Sequence, residues 1–187
     1  MGEMKRDGFT LVELLVVITI LGILLAMMVP AAGVIMKKAK NSQAMADLGV
    51  VQGALMKYRM EYNRWPDVKA VHGGYAGTSE RWVEIMNPDV TTGSGKRDAD
   101  NFRQLRFLEV GKGMIADSGK YKGAFGDPWP HGVGRMPYLY AVDDDGDGKV
   151  ATPDGGKEVS AQVLVWSAGA DGDWDTWEDN VTSWEKE

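Results

Sequence analysis

The residues best equipped for chemistry in this chain are carboxylates. In Asp143-Asp144-Asp145-Gly146-Asp147-Gly148-Lys149-Val150-Ala151-Thr152-Pro153-Asp154, acids stand at positions one, three, five and twelve: Asp143, Asp145, Asp147 and Asp154. Gly148 takes position six, Lys149 offers a carbonyl at seven and Val150 is apolar at eight. This is the spacing of a twelve-residue calcium loop, in which alternate residues wrap hard oxygens around one ion. Two departures from that pattern stand out. Asp154 replaces the usual bidentate glutamate, and the flanking sequence reads as strand rather than helix. The alternative reading is a solvated acidic turn. A second acidic stretch, 167–184, adds Asp171, Asp173, Asp175, Glu178 and Asp179, all chemically able to hold a hard cation.

Composition excludes several other chemistries. There is no cysteine, hence no disulfide, thiolate metal site or cysteine nucleophile. His72 and His131, the two histidines, sit in Gly-rich or Pro-rich surroundings that read as solvated loops. No nucleophile motif or Gly-rich phosphate loop is recognisable, so the chain is not read as an enzyme. The net charge of −6 is unevenly spread: thirteen acids and three lysines between 143 and 187 make that stretch −10, leaving +4 elsewhere. Such a face repels phosphate backbones, so no nucleic acid is expected as a partner, and it attracts cations.

The element that must carry these loops begins with an apolar run. Residues 14–36 contain no charge, and about 20 apolar residues suffice to cross a bilayer core of ~30 Å. A core helix this apolar on every face needs more protein around it than the rest of the chain supplies. A secretory signal peptide is also disfavoured, because the run continues through Pro30 into a helical pattern without a small-residue cleavage site. Before it lie a short basic leader with Lys5 and Arg6, and then Gly8-Phe9-Thr10-Leu11-Val12-Glu13-Leu14. A carboxylate within the membrane costs on the order of a few kcal/mol even on lenient insertion scales and so by default signals a partner, the alternative being a glutamate at the interface beside the headgroups.

Gly8-Phe9-Thr10-Leu11-Val12-Glu13 resembles the prepilin peptidase motif of type IV pilins and type II secretion pseudopilins. The resemblance implies cleavage by prepilin peptidase between Gly8 and Phe9 and N-methylation of Phe9. It also implies that Glu13 meets the N-terminal amine of a neighbouring subunit during assembly. Physically, an ammonium and a carboxylate in a low-dielectric bundle offset each other's desolvation. Lys5 and Arg6 hold the leader on the cytoplasmic side, placing the remainder in the periplasm. Gly22 and Pro30 resemble helix-weakening positions of pilins, so local unwinding between them is expected in the polymer.

Ala44, Leu48, Val51, Leu55, Tyr58 and Tyr62 alternate by four and three, which lines one helical face. Gly49 and Gly53 form a small-xxx-small pair that would permit close backbone approach. Trp65-Pro66 ends the helix, and 54–66 resembles the corresponding helix end of major pseudopilins. Residues 67–101 read as a surface insertion with a short helix at 80–86, and a second short helix is expected at 99–109. Strand signals appear at 136–142 and 159–166, which predict an antiparallel hairpin packed on the long helix.

Gly126-Asp127-Pro128-Trp129-Pro130 and Met136-Pro137-Tyr138-Leu139-Tyr140 are similar to major pseudopilin patterns, with Pro130 in place of the usual glycine. The stretch 167–184 resembles the C-terminal calcium loop of that family. By that resemblance Asp171, Asp179 and Asn180 are ligands, with Asp173, Asp175 and Glu178 as alternatives.

The expected fold is α+β and pilin-like: a long N-terminal helix on a small antiparallel sheet with calcium-binding loops. The expected organisation is a leader (1–8), a hydrophobic transmembrane and polymerisation helix (9–36), its amphipathic half (37–66) and a periplasmic globular head (67–187). The resemblance implies a major pseudopilin, a structural subunit of the periplasmic filament of a type II secretion system, anchored singly in the inner membrane. The expected partners are copies of itself, minor pseudopilins, prepilin peptidase, the inner-membrane assembly platform and the membrane. The alternative is a type IV pilus subunit for adhesion or motility.

Overall fold

The computed structural model describes residues 9–90, 100–111 and 113–184, with the side chains of 28–32 outside that description. The leader and Gly8 therefore lie outside the described residues. The chain divides into two compact units, one ending at Ala39 and the other beginning at Lys40.

One helix, α1 (Leu11–Tyr62), runs through both units, unbroken at Gly22 and Pro30. In the first unit every described side chain from Phe9 to Met27 is exposed. An apolar sleeve of this kind has no place in water and needs lipid or other helices around it. Among the described residues, nevertheless, no helix is long and apolar enough to cross a membrane, with 28–32 falling between the two described parts of the apolar run.

In the second unit the periodic face of α1 is buried as its spacing predicts. Ala44, Leu48, Val51, Leu55 and Tyr58 are buried, while Tyr62 is half-buried. The helix stops at Tyr62 because Asn63 takes a left-handed conformation (φ 52°), its N–H closing on the Arg59 carbonyl at 2.8 Å. Gly49 and Gly53 face open space, so within this chain they support no close approach.

The helix packs on a four-stranded antiparallel sheet. Its strands are β1 (Ala70–His72), β2 (Tyr75–Gly77), β3 (Leu139–Val142) and β6 (Val163–Trp166), in the order β1-β2-β3-β6. A separate two-stranded ribbon pairs β4 (Val150–Ala151) with β5 (Glu158–Val159). Val51, Leu55 and Tyr58 share one core with Tyr138, Tyr140, Val163 and Val165. Each fully buried side chain of this size contributes about 1.5–3 kcal/mol. Two polar contacts fix the register of helix on sheet: Tyr138 donates to the buried Asp47 carboxylate at 2.9 Å, and Gln52 donates to the Val163 carbonyl at 3.0 Å.

Several expectations require correction. The expected hairpin is the β3–β6 pair, but Val159 belongs to the β4–β5 ribbon. All four residues of β6 are buried, which an alternating pattern does not capture. The described part of the expected surface insertion at 67–101 is not confined to the surface, because it supplies β1, β2 and the expected helix, α2 (Glu80–Met86), with Trp82, Val83, Ile85 and Met86 wholly buried. Ser79 caps α2, its hydroxyl accepting from the Trp82 N–H. No helix forms over the described part of 99–109. There the Asn101 side chain donates to the carbonyls of Ile85 and Leu105 and accepts from the Leu105 N–H, a local network that competes with helical bonding.

Candidate functional site

The first acidic loop hangs between β3 and β4. Its leading residue is fixed from three sides: Asp143 donates its N–H to the Gln162 carbonyl at 2.9 Å, while Trp65 donates its indole N–H to the Asp143 carbonyl at 2.8 Å. The Asp143 carboxylate accepts from the N–H groups of Gly146 (2.7 Å) and Gly148 (2.9 Å). Both glycines adopt positive φ (78° and 80°), which turns the chain back over that carboxylate. Burial opposes ionisation of Asp143. The N–H groups of Gly148 and Gly146, helped by Asp145 and the Asp147 backbone, outweigh it and hold the carboxyl below the usual range.

Asp143, Asp145 and Asp147 each place a carboxylate oxygen within 4.8 Å of the others. Oxygens sharing one calcium at 2.3–2.6 Å lie at most about 5 Å apart, so this spacing fits the ion. The twelfth position does not join them. Asp154 accepts the Trp184 indole N–H at 3.1 Å, and Lys149, whose carbonyl was the expected seventh ligand, pairs its ammonium with Glu158 at 3.1 Å. Glu158, which spacing did not single out, lines the same depression as Asp144, Asp145 and Asp147.

The second loop is tied back to β6. The Ser167 hydroxyl accepts from the N–H groups of Gly169 (3.2 Å) and Val181 (3.0 Å). Asp179 gathers the N–H groups of Ala170 (2.7 Å) and Asp171 (3.2 Å). Asp179 and Asn180 both turn side-chain oxygens towards Gly169, where φ is +66° and an added Cβ would stand 2.4 Å from Asp179 Oδ1 and 2.9 Å from Asn180 Oδ1. Asp171 does not join this pair. Its carboxylate accepts from the Asp173 N–H (2.9 Å) and the Thr176 hydroxyl (2.6 Å). Of the alternatives, Asp173 accepts from the Asp175 N–H, and Asp175 bonds His72.

Neither histidine is a solvated loop residue. His72 lies on β1, bonds the Asp175 carboxylate at 3.0 Å and stacks on Trp174. His131 bonds Asp127 at 3.2 Å, with both side chains buried, and its ring backs onto Gly172 of the second loop. Burial raises the Asp127 carboxyl above its ordinary range, against the opposing pull of His131. No sequence signal identified this pair beyond a spacing of four residues.

At the other end, Thr10 and Glu13 form a capping box. The Glu13 carboxylate accepts from the N–H and the hydroxyl of Thr10, both at 2.9 Å, and the Glu13 N–H donates to the Thr10 hydroxyl at 3.2 Å. The signature was present in the sequence as Thr-x-x-Glu before an apolar run. Phe9, immediately outside the helix, is exposed.

A family profile described as the prokaryotic N-terminal methylation motif matches residues 4–29. The chain is 39% identical over 66 residues to the type II secretion system core protein G of Aeromonas hydrophila, covering 35% of this chain and 46% of that one. Core protein G of Klebsiella pneumoniae is 39% identical over 62 residues, 33% of this chain and 44% of its own length. The chain thus spans less than half the length of these relatives. Type IV major pilin protein PilE1 of Neisseria gonorrhoeae is 26% identical over 165 residues, 85% of this chain and 91% of that one. No solved structure matches the chain. Residues 4–29 thus carry the prokaryotic N-terminal methylation motif, and the similarities that extend behind it are to a type II secretion core protein and to a type IV pilin.

Proposed function

We propose that this chain is the major pseudopilin of a type II secretion system, a structural, non-catalytic subunit that polymerises into a periplasmic filament. The observation that carries this reading is the 39% identity to core protein G, from a chain whose first helix exposes its apolar side chains on every face from Leu11 to Met27. In this reading residues 1–8 are a leader removed by prepilin peptidase between Gly8 and Phe9, and Phe9 is then methylated. The apolar helix 9–36 anchors the subunit in the inner membrane before it enters the filament, and unwinds between Gly22 and Pro30 there. Residues 37–66 join that anchor to a periplasmic head, 67–187. Minor pseudopilins and the inner-membrane assembly platform are the further partners.

Calcium belongs to the same proposal. The first loop fits the ion better, since three carboxylates already converge there. In the second loop Asp179 and Asn180 converge but Asp171 must swing out of its turn to join them.

A type IV pilus subunit is the second reading, favoured by the length of the match to PilE1, 91% of that protein. Removing the gene from its native host separates the two. Loss of exoprotein secretion with surface fibres intact supports the pseudopilin, whereas loss of surface fibres with secretion intact supports the pilin. Intact-mass analysis of the native protein tests both: a chain lacking residues 1–8 and gaining one methyl group is expected, and one still beginning at Met1 would sink the pilin-like processing.

A further inference from the structure

The closing position of the first acidic loop is the one that its own twelve residues leave unserved. Calcium takes six to eight oxygens, and in a loop of this spacing a bidentate glutamate at position twelve supplies two of them. The fold takes Asp154 away from that part. Pairing of β4 with β5 sets Val150 opposite Val159 and Ala151 opposite Glu158, and the Thr152 N–H donates to the Lys157 carbonyl at 2.8 Å. Asp154 therefore stands in the turn of the ribbon, with its carboxylate on the Trp184 indole N–H. The same pairing returns another acid to the loop. Glu158, four residues beyond Asp154, comes back beside Ala151 and lines the depression that Asp145 and Asp147 also line.

That depression already receives one cation, and the chain itself supplies it. The Lys149 ammonium meets the Glu158 carboxylate at 3.1 Å and lies in the field of Asp147 as well. Its backbone N–H donates separately to Asp147 Oδ1 at 2.8 Å, so the main chain stays in place whatever the ammonium does. Packing locks neither partner: the side chains are 52% exposed for Lys149 and 62% for Glu158. An exposed pair of this kind is worth little by itself, and both groups are free to exchange partners without disturbing the ribbon. A divalent ion gains more from several converging carboxylates than a single ammonium does. Lys149, once its ammonium is displaced, still presents the carbonyl expected at position seven.

We propose that Glu158, and not Asp154, closes the calcium site of the first loop, and that the Lys149 ammonium is the built-in cation that the metal displaces from it. The inference rests on the calcium reading of that loop given above. To it are added a ligand from outside the twelve residues and a competitor from within them, so that Lys149 sets how much calcium the loop needs before it fills.

The test is calorimetric titration of the full chain in detergent micelles with calcium chloride, beside the melting temperature in the absence of calcium. Glu158→Gln is expected to weaken the affinity roughly tenfold, since the number of charged ligands tunes it. Lys149→Met removes the ammonium but keeps the carbonyl, and is expected to tighten the affinity roughly threefold. Asp154→Asn keeps an acceptor for Trp184 and is expected to bind as the wild type does. None of the three should move the calcium-free melting temperature, which separates a ligand from a residue that merely supports the fold. No heat in the wild type, or heat undiminished in Asp145→Ala, would overturn the calcium reading of the first loop and this inference with it. Heat lost in Asp145→Ala but unchanged in Glu158→Gln would overturn the inference alone. Weakening by Asp154→Asn equal to that by Glu158→Gln would overturn the choice of closing ligand, and weaker binding by Lys149→Met would overturn the role given to the ammonium.

Discussion

Asp143 and Asp179 are both carboxylates that collect backbone N–H groups, and the similarity hides a difference in what each is for. Asp143 folds its own loop while keeping company with Asp145 and Asp147, whose carboxylates are exposed and make only short turns to the N–H groups of Asp147 and Lys149. Asp145→Ala is therefore expected to leave the ion-free fold nearly unchanged, within about 0.5 kcal/mol. It should abolish most of the calcium response. In the wild-type chain, a hundredfold excess of calcium over its dissociation constant adds about 2.7 kcal/mol. Chelation should reverse the resulting rise in melting temperature. Asp179→Ala strips the acceptor from two N–H groups and is expected to destabilise by about 1–3 kcal/mol even without calcium. Scanning calorimetry of both variants with and without calcium checks this. A response kept in Asp145→Ala and lost in Asp171→Ala would move the site to the second loop. Carboxylate spacing made the first loop legible in the sequence. The loss of Asp154 from it was not, because the indole that captures it, on Trp184, lies thirty residues further along the chain.

Among the elements, α1 was legible because six positions repeat at helical spacing over nearly twenty residues, and a face of that length leaves little choice of what to bury. Leu55, wholly buried on that face, is expected to cost about 2–5 kcal/mol when changed to alanine, measured by denaturant unfolding. β1 and β2 were illegible for the opposite reason. Three residues each are too few to establish a period, and both are held by pairing rather than by pattern. The bond between α1 and the sheet carries its own pH dependence. Burial raises the Asp47 carboxyl above its ordinary value, against the hydrogen bond from Tyr138 and the charge of Arg135. A folded-state value above the unfolded one means that the fold binds the proton more tightly. Its stabilising contribution is full below the unfolded value and is lost as pH rises through the folded one. Asp47→Asn keeps an acceptor for Tyr138 without the buried charge. It is expected to raise the melting temperature at neutral pH, with the gain shrinking as the pH falls through the raised folded value and gone once the ordinary aspartate value is passed. A gain independent of pH would contradict this.

On the scale of the whole molecule, the division at Ala39 separates an end whose described side chains are all exposed from one that carries the buried clusters. Changes at the terminus should therefore alter assembly and leave the head's stability alone. Glu13 carries two loads in this reading. In the single chain it closes the capping box with Thr10, and in the proposed filament it meets the methylated amine of another subunit's Phe9. The first role needs only an acceptor at the end of the side chain, which glutamine also provides. The second needs charge, because an ammonium in a low-dielectric bundle is left without compensation opposite an amide. Glu13→Gln is thus expected to keep the helix start, membrane insertion and head melting temperature, and yet to yield few or defective filaments by electron microscopy. Glu13→Ala should show the same assembly defect and also lose the cap, costing the helix terminus about 0.5–2 kcal/mol. Normal filaments from Glu13→Gln together with defective ones from Glu13→Ala would make the cap, rather than the charge, the feature on which assembly depends.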